Sequence, residues 1–239
     1  VDWRMWLCKA LGEFEVNEGM PALLQAVKKP SEPEENRVRL AALESIALLA
    51  GQSKSSKSQH ADLIPVLLQA SQTQPDTPTD EDDQRTEQYL LDDAAQVRLR
   101  AAFAMGLVAD DSQGSLKNRL SQMADPESES HPQTRCNAVI ALARQGDSGA
   151  IPHLGAMLDP DSITVDSAED EESQKWYRAL ILKNAITAVV KLRDRDADAD
   201  LDALISRIEK LQSHPVEVVK NEAAAAIKKL KPRRVSTTD

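Results

Sequence analysis

The residues that most often do chemistry in proteins are few in this chain and stand far apart. The histidines and cysteines are His60, His131, His153, His214, Cys8 and Cys136. Zinc sites and helical metalloprotease motifs need such ligands a few residues apart, and no pair here has that spacing. The sequence also has neither a glycine-rich phosphate loop nor a GxSxG nucleophile motif. We therefore expect a protein that is not an enzyme, has no catalytic residue and binds neither a metal nor a cofactor.

Two local clusters allow a weaker chemical interpretation. The DEDD run at 80–83 offers carboxylates to Ca²⁺, but it lacks the spacing and the glycine of an EF-hand, so we expect solvated acids. Trp176-Tyr177-Arg178 is the one aromatic and basic cluster, and it follows Glu171 and Glu172. Such a set can stack a nucleic-acid base beside a carboxylate. Alternatively, Trp176 packs in the core, which is the interpretation we favour.

These side chains are carried by helices, because one helical pattern recurs along the chain. Its clearest copy is Val97–Asp111, VRLRAAFAMGLVADD, which is rich in strong helix formers and free of proline. The pattern Val-Arg-x-x-Ala-x-x-Ala-Leu-Gly fits five stretches, whose basic second positions we call the slot residues: Arg4, Arg39, Arg98, Arg135 and Lys220. In a sixth copy Leu182 takes the slot, and Arg178 lies one turn earlier on the same face.

A second series of helices alternates with the first. Met20-Pro21, Ile64-Pro65 and Ile151-Pro152 each begin a short apolar stretch. Proline is tolerated there because the first N–H groups of a helix have no intrahelical partner. Each repeat is therefore a Pro-started helix A, a turn and an Ala-rich helix B. The two longest intervals between slot residues contain insertions at 72–93 and 159–175.

This alternation resembles the HEAT repeat family, most closely the short bacterial type that also occurs in phycobilisome lyase subunits. The resemblance implies an all-α fold, a right-handed α-α solenoid of about five to six HEAT-like helix pairs. It implies a single domain over 1–232, followed by a frayed tail at 233–239, with B helices lining the concave side. The residues that we expect to be buried between repeats are Ala102, Met105, Ala138, Leu142, Ala185, Val189, Ala223 and Ile227.

The basic side chains of the B helices admit two roles. In the family that the chain resembles, slot arginines bond acids of the preceding turn, which implies an internal ladder of Arg4, Arg39, Arg98, Arg135 and Lys220. We expect Arg39, Arg98 and Arg135 to pair with acids in the A-to-B turns; full exposure to solvent would instead favour an anion-binding groove. The candidate partner-binding residues of the concave face are Arg100, Arg144, Trp176, Arg178 and Lys183.

Charge is segregated along the chain, whose net charge is −10. The four A-to-B connections, 30–36, 72–93, 125–133 and 159–175, hold 21 of the 39 acids and two of the 29 bases. Because equivalent loops of a solenoid line up, we predict an acidic ridge along one edge, beside a basic body. The alternative is a set of ordinary solvated loops. We expect much of 72–93 to be flexible, with Tyr89-Leu90-Leu91 docked on the body.

The function that these features imply is binding. We expect a scaffold module, monomeric, whose concave face binds a protein partner or another domain of its parent chain. The alternatives are a nucleic-acid-binding solenoid, a HEAT-like DNA glycosylase and a lyase-type subunit. An acidic ridge would repel nucleic-acid phosphates, so we consider nucleic acid the less favoured partner.

The ends and the cysteines bear on the origin of the chain. The chain begins with a valine inside a B helix, so we expect it to be a fragment of a longer bacterial protein. We expect Trp3 or Trp6 to be exposed in this fragment, because the preceding A helix has been lost. No run of 18 apolar residues and no signal peptide is present. Cys8 and Cys136 are expected to be buried, free thiols, which fits a reducing compartment. The compartment is unknown, and the cytoplasm is favoured.

Overall fold

A computed structural model of the protein describes residues 2–28, 35–52, 62–75, 84–108, 113–163 and 170–231, with the backbone alone for Asp2, Gln52 and 84–92. Over these residues the chain is all-helical and contains no β-strand, which confirms the expected all-α class. The α-helices are α1 (Asp2–Glu13), α2 (Met20–Lys28), α3 (Asn36–Gln52), α4 (Leu63–Ala70), α5 (Gln84–Met105), α6 (Ser115–Ala124), α7 (Pro132–Arg144), α8 (Ala150–Met157), α9 (Glu171–Arg195), α10 (Asp202–Leu211) and α11 (Glu217–Leu230). Short 3-10 helices cover Asn17–Gly19 and Pro160–Ser162.

Odd-numbered helices are the B helices of the repeat and even-numbered helices are its A helices. The chain divides into two compact units, Val1–Ala141 and Leu142–Asp239, and the division falls inside α7. The handedness, the number of repeats and the single solenoid over 1–232 stay predictions. The tail at 233–239 lies outside the described residues.

The first unit consists of two layers of helices. The B helices α1, α3 and α5 pack side by side, and the A helices α2, α4 and α6 lie against them and against one another. Helix α7 joins α5 through the Thr134 hydroxyl and the Asn137 amide, which donate to the carbonyls of Ala95 and Leu99. The buried face of α2 shows why the layers adhere, since its apolar residues recur at helical spacing: Met20, Leu23, Leu24 and Val27.

Small residues let neighbouring B helices approach closely in this unit. Gly12 and Gly106 both take the closing position of the repeat pattern. A Cβ atom on Gly12 would stand 2.7 Å from Cβ of Ser45, and one on Gly106 would stand 2.7 Å from Cβ of Ala141. The closing glycine of the sequence pattern is therefore explained by helix packing rather than by an unusual backbone conformation.

The second unit is built around α9. This helix begins after Asp170, whose side chain accepts hydrogen bonds from the backbone N–H groups of Glu172 and Ser173 and so caps the first turn. Helix α9 packs against α8 and α11, and α10 packs against α8 and α11. The Thr187 hydroxyl on α9 and the Glu222 carboxylate on α11 are 3.1 Å apart, which ties the two B helices together.

The helices differ from the sequence predictions in two places. The B helix that contains Val97 was expected to end near Val108, but it ends at Met105, because Gly106 and Leu107 form a turn where the chain meets α7 closely. The insertion at 72–93 was expected to be largely flexible, but 84–93 forms the first turns of α5, since this stretch contains neither proline nor glycine. Residues 76–83 and the side chains of Tyr89-Leu90-Leu91 lie outside the described residues.

The predicted core is largely confirmed. Seven of the eight positions are buried: Ala102, Met105, Ala138, Leu142, Ala185, Val189 and Ala223. The prediction for Ile227 is wrong, because this side chain on α11 is only half-buried. Helix α11 packs against α9 and α10, and in the described part of this unit no further B helix follows it. None of the described helices has the length and apolar character needed to cross a membrane.

Candidate protein-binding surface

The slot residue Arg98 connects three parts of the first unit. Its Nε and Nη2 atoms donate to the two carboxylate oxygens of Glu129 at 2.7 and 2.9 Å, and Nη1 donates to the Thr73 carbonyl at 3.0 Å. Glu129 lies in the turn between α6 and α7, and Thr73 follows α4. The acid that Arg98 bonds therefore comes from the following turn, and the preceding turn supplies a backbone carbonyl.

Arg4 and Arg39 repeat this arrangement. Arg4 donates from Nη1 to Glu35 Oε1 at 2.7 Å, in the turn that follows. Arg39 donates from Nε to the carbonyl of Val27, in the last turn of α2, at 3.2 Å, and from Nη2 to Thr73 Oγ1, in the connection after α4, at 3.1 Å. Arg4 thus joins α1 to the connection before α3, Arg39 joins the end of α2 to the connection after α4, and Arg98 joins that connection to the turn before α7.

The remaining slots are filled differently. Arg135 donates from Nη1 to the carbonyls of Glu129 and Ser130, both at 2.7 Å, so its described partners are carbonyls and not the carboxylates that we predicted. In the second unit Leu182 is buried, and Lys220 is exposed on α11. Any pairing of Arg39 with acids of 29–34 stays a prediction, since those acids lie outside the described residues.

Glu129 is the most buried acid of this network, with 4% of its surface exposed. Burial by itself would raise the pKa of its carboxyl group. The side-chain hydrogen bonds from Arg98, together with the hydrogen bond from the His131 backbone N–H, outweigh burial and hold this pKa below its ordinary value. The carboxylate is therefore charged in the folded protein and serves the fold rather than a ligand.

The candidate partner-binding residues fall in both units. Arg100 lies on α5 in the first unit, where its Nε donates to Glu44 Oε1 at 2.7 Å and its Nη1 to Gln96 Oε1 at 2.6 Å. Arg144 lies at the end of α7 and is half-buried, and this burial lowers the pKa of its guanidinium group. Neither arginine is a freely extended cation.

The second unit carries an exposed apolar stripe on α9. Trp176 and Leu180 are 59% and 51% exposed, and Lys183, half-buried, follows on the same face. The prediction that Trp176 packs in the core is wrong. Arg178, two residues after Trp176, points to another side of the helix, so the cluster that the sequence indicated is divided. Leu180 was missed by sequence reasoning, although its i+4 spacing from Trp176 was visible.

A shallow groove of about 590 Å³ lies beside Trp176, where the first turns of α9 and α11 meet. Apolar side chains and charged groups line it together: Trp176, Val216, Val218, Lys175, Glu171, Glu172 and Glu217. The three carboxylates stand in first turns, where the helix dipole favours negative charge. The groove therefore offers an apolar surface among charged groups that are negative on balance.

The N-terminal tryptophans are exposed as a pair. Trp3 and Trp6 on α1 stack with ring centroids 5.6 Å apart. Both side chains are more than half exposed, whereas only one of the two was expected to be exposed.

Cys8 and Cys136 are free, and burial raises the pKa of both thiols. Cys136 is only half-buried. Within the described ranges no cluster of three or more His, Cys, Asp or Glu side chains is arranged to hold a metal ion.

Comparison with known proteins adds one finding. The sequence of residues 84–170, from α5 to the residue before α9, matches the family described as HEAT repeats. No curated protein matches the sequence. The matched stretch includes two slot arginines, Arg98 and Arg135, and the alternation of A and B helices continues on both sides of it. The match and the all-helical architecture together support a HEAT-like repeat family for this chain.

Proposed function

We propose that this protein is a non-enzymatic scaffold that binds a partner protein through the exposed surface of its B helices. The stripe of Trp176, Leu180 and Lys183 on α9 is the observation that carries the proposal. HEAT repeats commonly mediate protein interactions. Exposed tryptophan is enriched at protein interfaces, where it supplies a large apolar contact and a hydrogen-bond donor.

The groove beside the stripe favours a particular kind of partner surface. Trp176, Val216 and Val218 offer apolar contact. The charged groups that line the groove with them are three acids, Glu171, Glu172 and Glu217, and one base, Lys175, so its charge is negative on balance. An apolar partner side chain flanked by lysine or arginine would match both features. Charge complementarity of this kind mainly sets the rate and the orientation of encounter.

The slot arginines support protein rather than nucleic acid as the partner. Arg4, Arg39 and Arg98 all donate hydrogen bonds to neighbouring turns of the fold. A groove that binds phosphates needs cations that face the ligand. We therefore retain the nucleic-acid-binding and glycosylase interpretations only as outcomes of the test. Membership of the phycobilisome lyase type, bacterial origin, a cytoplasmic location and a monomeric state stay predictions.

Site-specific photo-crosslinking tests the proposal. A photoreactive phenylalanine replaces Leu180 in the stripe or, as the matched control, Ser206, which is exposed on the A helix α10. We expect one protein from a lysate of the source organism to crosslink at position 180 and not at position 206. This protein is then purified, and its affinity for the chain is measured directly.

The double variant Trp176→Ala, Leu180→Ser should weaken binding of the purified partner at least about ten-fold, or about 1.4 kcal/mol. Ala203→Ser on α10 should leave binding unchanged, because this alanine is exposed on the A side. Crosslinking to nucleic acid, or equal affinity of the double variant and the wild type, would refute the proposal.

A further inference from the structure

A histidine side chain holds the turn in which helix α11 begins. Residues 214–216 are His-Pro-Val, and Nδ1 of His214 accepts a hydrogen bond from the backbone N–H of Val216 at 3.1 Å. Val216 immediately precedes α11, and its carbonyl accepts from the N–H of Lys220 in the first turn. Val216 supplies no side-chain cap, whereas the Asp170 carboxylate caps α9. The ring of His214 is therefore the side chain that fixes the start of α11.

The same kind of turn occurs twice more in the described chain, each time with aspartate. In Asp125-Pro126-Glu127 and in Asp159-Pro160-Asp161, a carboxylate oxygen of the first residue accepts from the N–H of the third at 3.2 Å. His214 takes the place of the aspartate. A carboxylate remains an acceptor between about pH 5 and 8, whereas an imidazole ordinarily gains a proton in this range.

A protonated ring at His214 cannot keep the bond to Val216. Both ring nitrogens of an imidazolium carry a hydrogen, so Nδ1 becomes a donor that faces another donor. The start of a helix also carries partial positive charge, which disfavours a cation beside it. Protonation therefore removes the partner of the Val216 N–H and loosens the turn.

Charged groups surround the His214 ring on several elements. A pocket beside the ring contains one acid and two bases from α10 and the residues after α8: Asp159, Arg207 and Lys210. Toward α11 and α9 the groups near Val216 are three acids and one base: Glu217, Glu171, Glu172 and Lys175. The bases oppose a positive charge on the ring and the acids favour one. A test of His214 must therefore leave all seven groups unchanged.

The turn that His214 holds is also one wall of the groove beside Trp176, which we call the α9–α11 groove. Val216, Glu217 and Val218 line this wall. Val216 and Val218 are only half-buried, so the backbone fixes their positions more than packing does. A shift of the Val216 backbone therefore changes the shape of the groove.

We infer that His214 positions the α11 wall of the α9–α11 groove and makes partner binding sensitive to acid. The neutral ring holds the wall in its binding shape, and protonation releases Val216 and weakens the complex. This inference rests on the proposed function, because the groove lies beside the stripe of Trp176, Leu180 and Lys183. His214 acts through the turn and is a positioning residue, not a contact of the partner.

An NMR titration of the full chain from about pH 7.5 to about pH 5.5 tests the positioning without a partner. The probes are the ring nitrogens of His214, the amides of Val216 and Val218, and the indole N–H of Trp176. We expect all of them to change with one common midpoint. Solvent exchange of the Val216 amide, corrected for pH, should rise about three-fold or more as its hydrogen bond is lost. Signals of Val218 and Trp176 that stay constant while His214 titrates would overturn the inference.

His214→Asn supplies an oxygen acceptor that does not titrate in this range. This variant should protect the Val216 amide at both pH values and abolish the common midpoint, and His214→Asp serves as a second variant should the first unfold. The matched control is His153→Gln, at a half-buried position of α8, which should respond to pH as the wild type does. A response of Val216 that persists in His214→Asn would belong to another group and would overturn the inference.

Affinity for the partner that crosslinks at position 180 measures the consequence. Wild type and His153→Gln should bind about three- to ten-fold more weakly at about pH 5.5 than at about pH 7.5, and His214→Asn should bind equally at both. Equal affinity of the wild type at both pH values would overturn the acid sensitivity. If no protein crosslinks at position 180, the proposed function fails, whereas the NMR titration still decides whether His214 positions the wall.

Discussion

Glu129 illustrates how much of this fold depends on single buried contacts. Its carboxylate accepts two hydrogen bonds from Arg98 and one from the His131 backbone, and its own carbonyl accepts from Arg135. One residue thus joins two successive slot arginines. The sequence predicted that Arg98 would bond an acid in an A-to-B turn. The family resemblance implied the preceding turn, whereas the acid belongs to the following turn. Sequence spacing could not show this, because the direction of a long arginine side chain is set by packing.

Glu129→Gln should destabilise the protein by roughly 2 kcal/mol, because it removes the charge that pairs with Arg98 in a buried site. The control is Glu127→Gln, in the same turn but exposed, which should change stability by less than about 0.5 kcal/mol. Urea denaturation near neutral pH measures both. Equal stability of the two variants would show that the Arg98 pair contributes nothing.

The same carboxylate predicts a dependence of stability on pH. The pKa of Glu129 in the folded protein lies below its ordinary value of 4.5, so the unfolded chain takes up a proton first as the pH falls. The stabilising contribution is complete above 4.5 and is lost as the pH falls through the folded pKa. The difference in free energy of unfolding between wild type and Glu129→Gln should therefore shrink on the acid side of 4.5. A constant difference would contradict this account.

At the scale of helices, close approach of B helices depends on the closing glycine of the repeat. Gly106→Ala would bring a Cβ atom to 2.7 Å from Ala141, where backbone atoms also lie, and should destabilise the protein by about 1–3 kcal/mol. The matched substitution is Gly51→Ala in α3, whose new Cβ would find Leu107 at 3.7 Å. This change should stabilise by about 0.5–1 kcal/mol, because alanine is the better helix former. Thermal denaturation of the two variants should show shifts of opposite sign.

The core of α7 gives a second prediction at this scale. Ala138→Asp places an unpaired charge at a position with no exposed surface and should cost several kcal/mol, enough to unfold a marginal domain. Ala225→Asp makes the same change at an exposed position of α11 and should have little effect. Circular dichroism during heating measures both. A wild-type melting temperature for Ala138→Asp would mean that the register of α7 is wrong.

Periodicity predicted the helices well and their ends less well. The helical pattern marks where apolar side chains must meet a neighbour, and seven of eight chosen core positions are buried. The start of α5 at Gln84 was missed because the acids and glutamines of 84–93 resemble a loop in composition. These residue types nevertheless allow a helix, and the stretch contains neither proline nor glycine. Trp176 was assigned to the core because tryptophan usually is buried, and sequence alone does not show which faces of α9 a neighbour covers.

For the whole molecule, the balance of charge opposes binding to nucleic acid. The chain has a net charge of −10, and its slot arginines are engaged within the fold. We expect no electrophoretic shift of a labelled duplex DNA at about 0.15 M salt. Binding whose logarithm falls linearly with the logarithm of salt concentration would contradict this expectation. A variant with the acids of 80–83 changed to amides tests whether the insertion alone prevents binding.

The acidic ridge stays a prediction at this scale. The two insertions at 72–93 and 159–175 belong to different units, and parts of both lie outside the described residues. Where acids of the A-to-B turns are described, several serve the local fold: Glu35 and Glu129 bond slot arginines, and Asp170 caps α9. Counting charges by connection could not distinguish these acids from free ones.

Thr73 has a consequence for how the chain tolerates change in length. Its hydroxyl accepts a hydrogen bond from Arg39 and its carbonyl accepts one from Arg98. Both arginines therefore fix the position of the chain just before residues 76–83. Helix α5 then resumes the repeat at Gln84. We therefore expect that residues added or exchanged between these two fixed points leave both arginine contacts in place. The connection would then be a position at which a foreign recognition loop can be grafted.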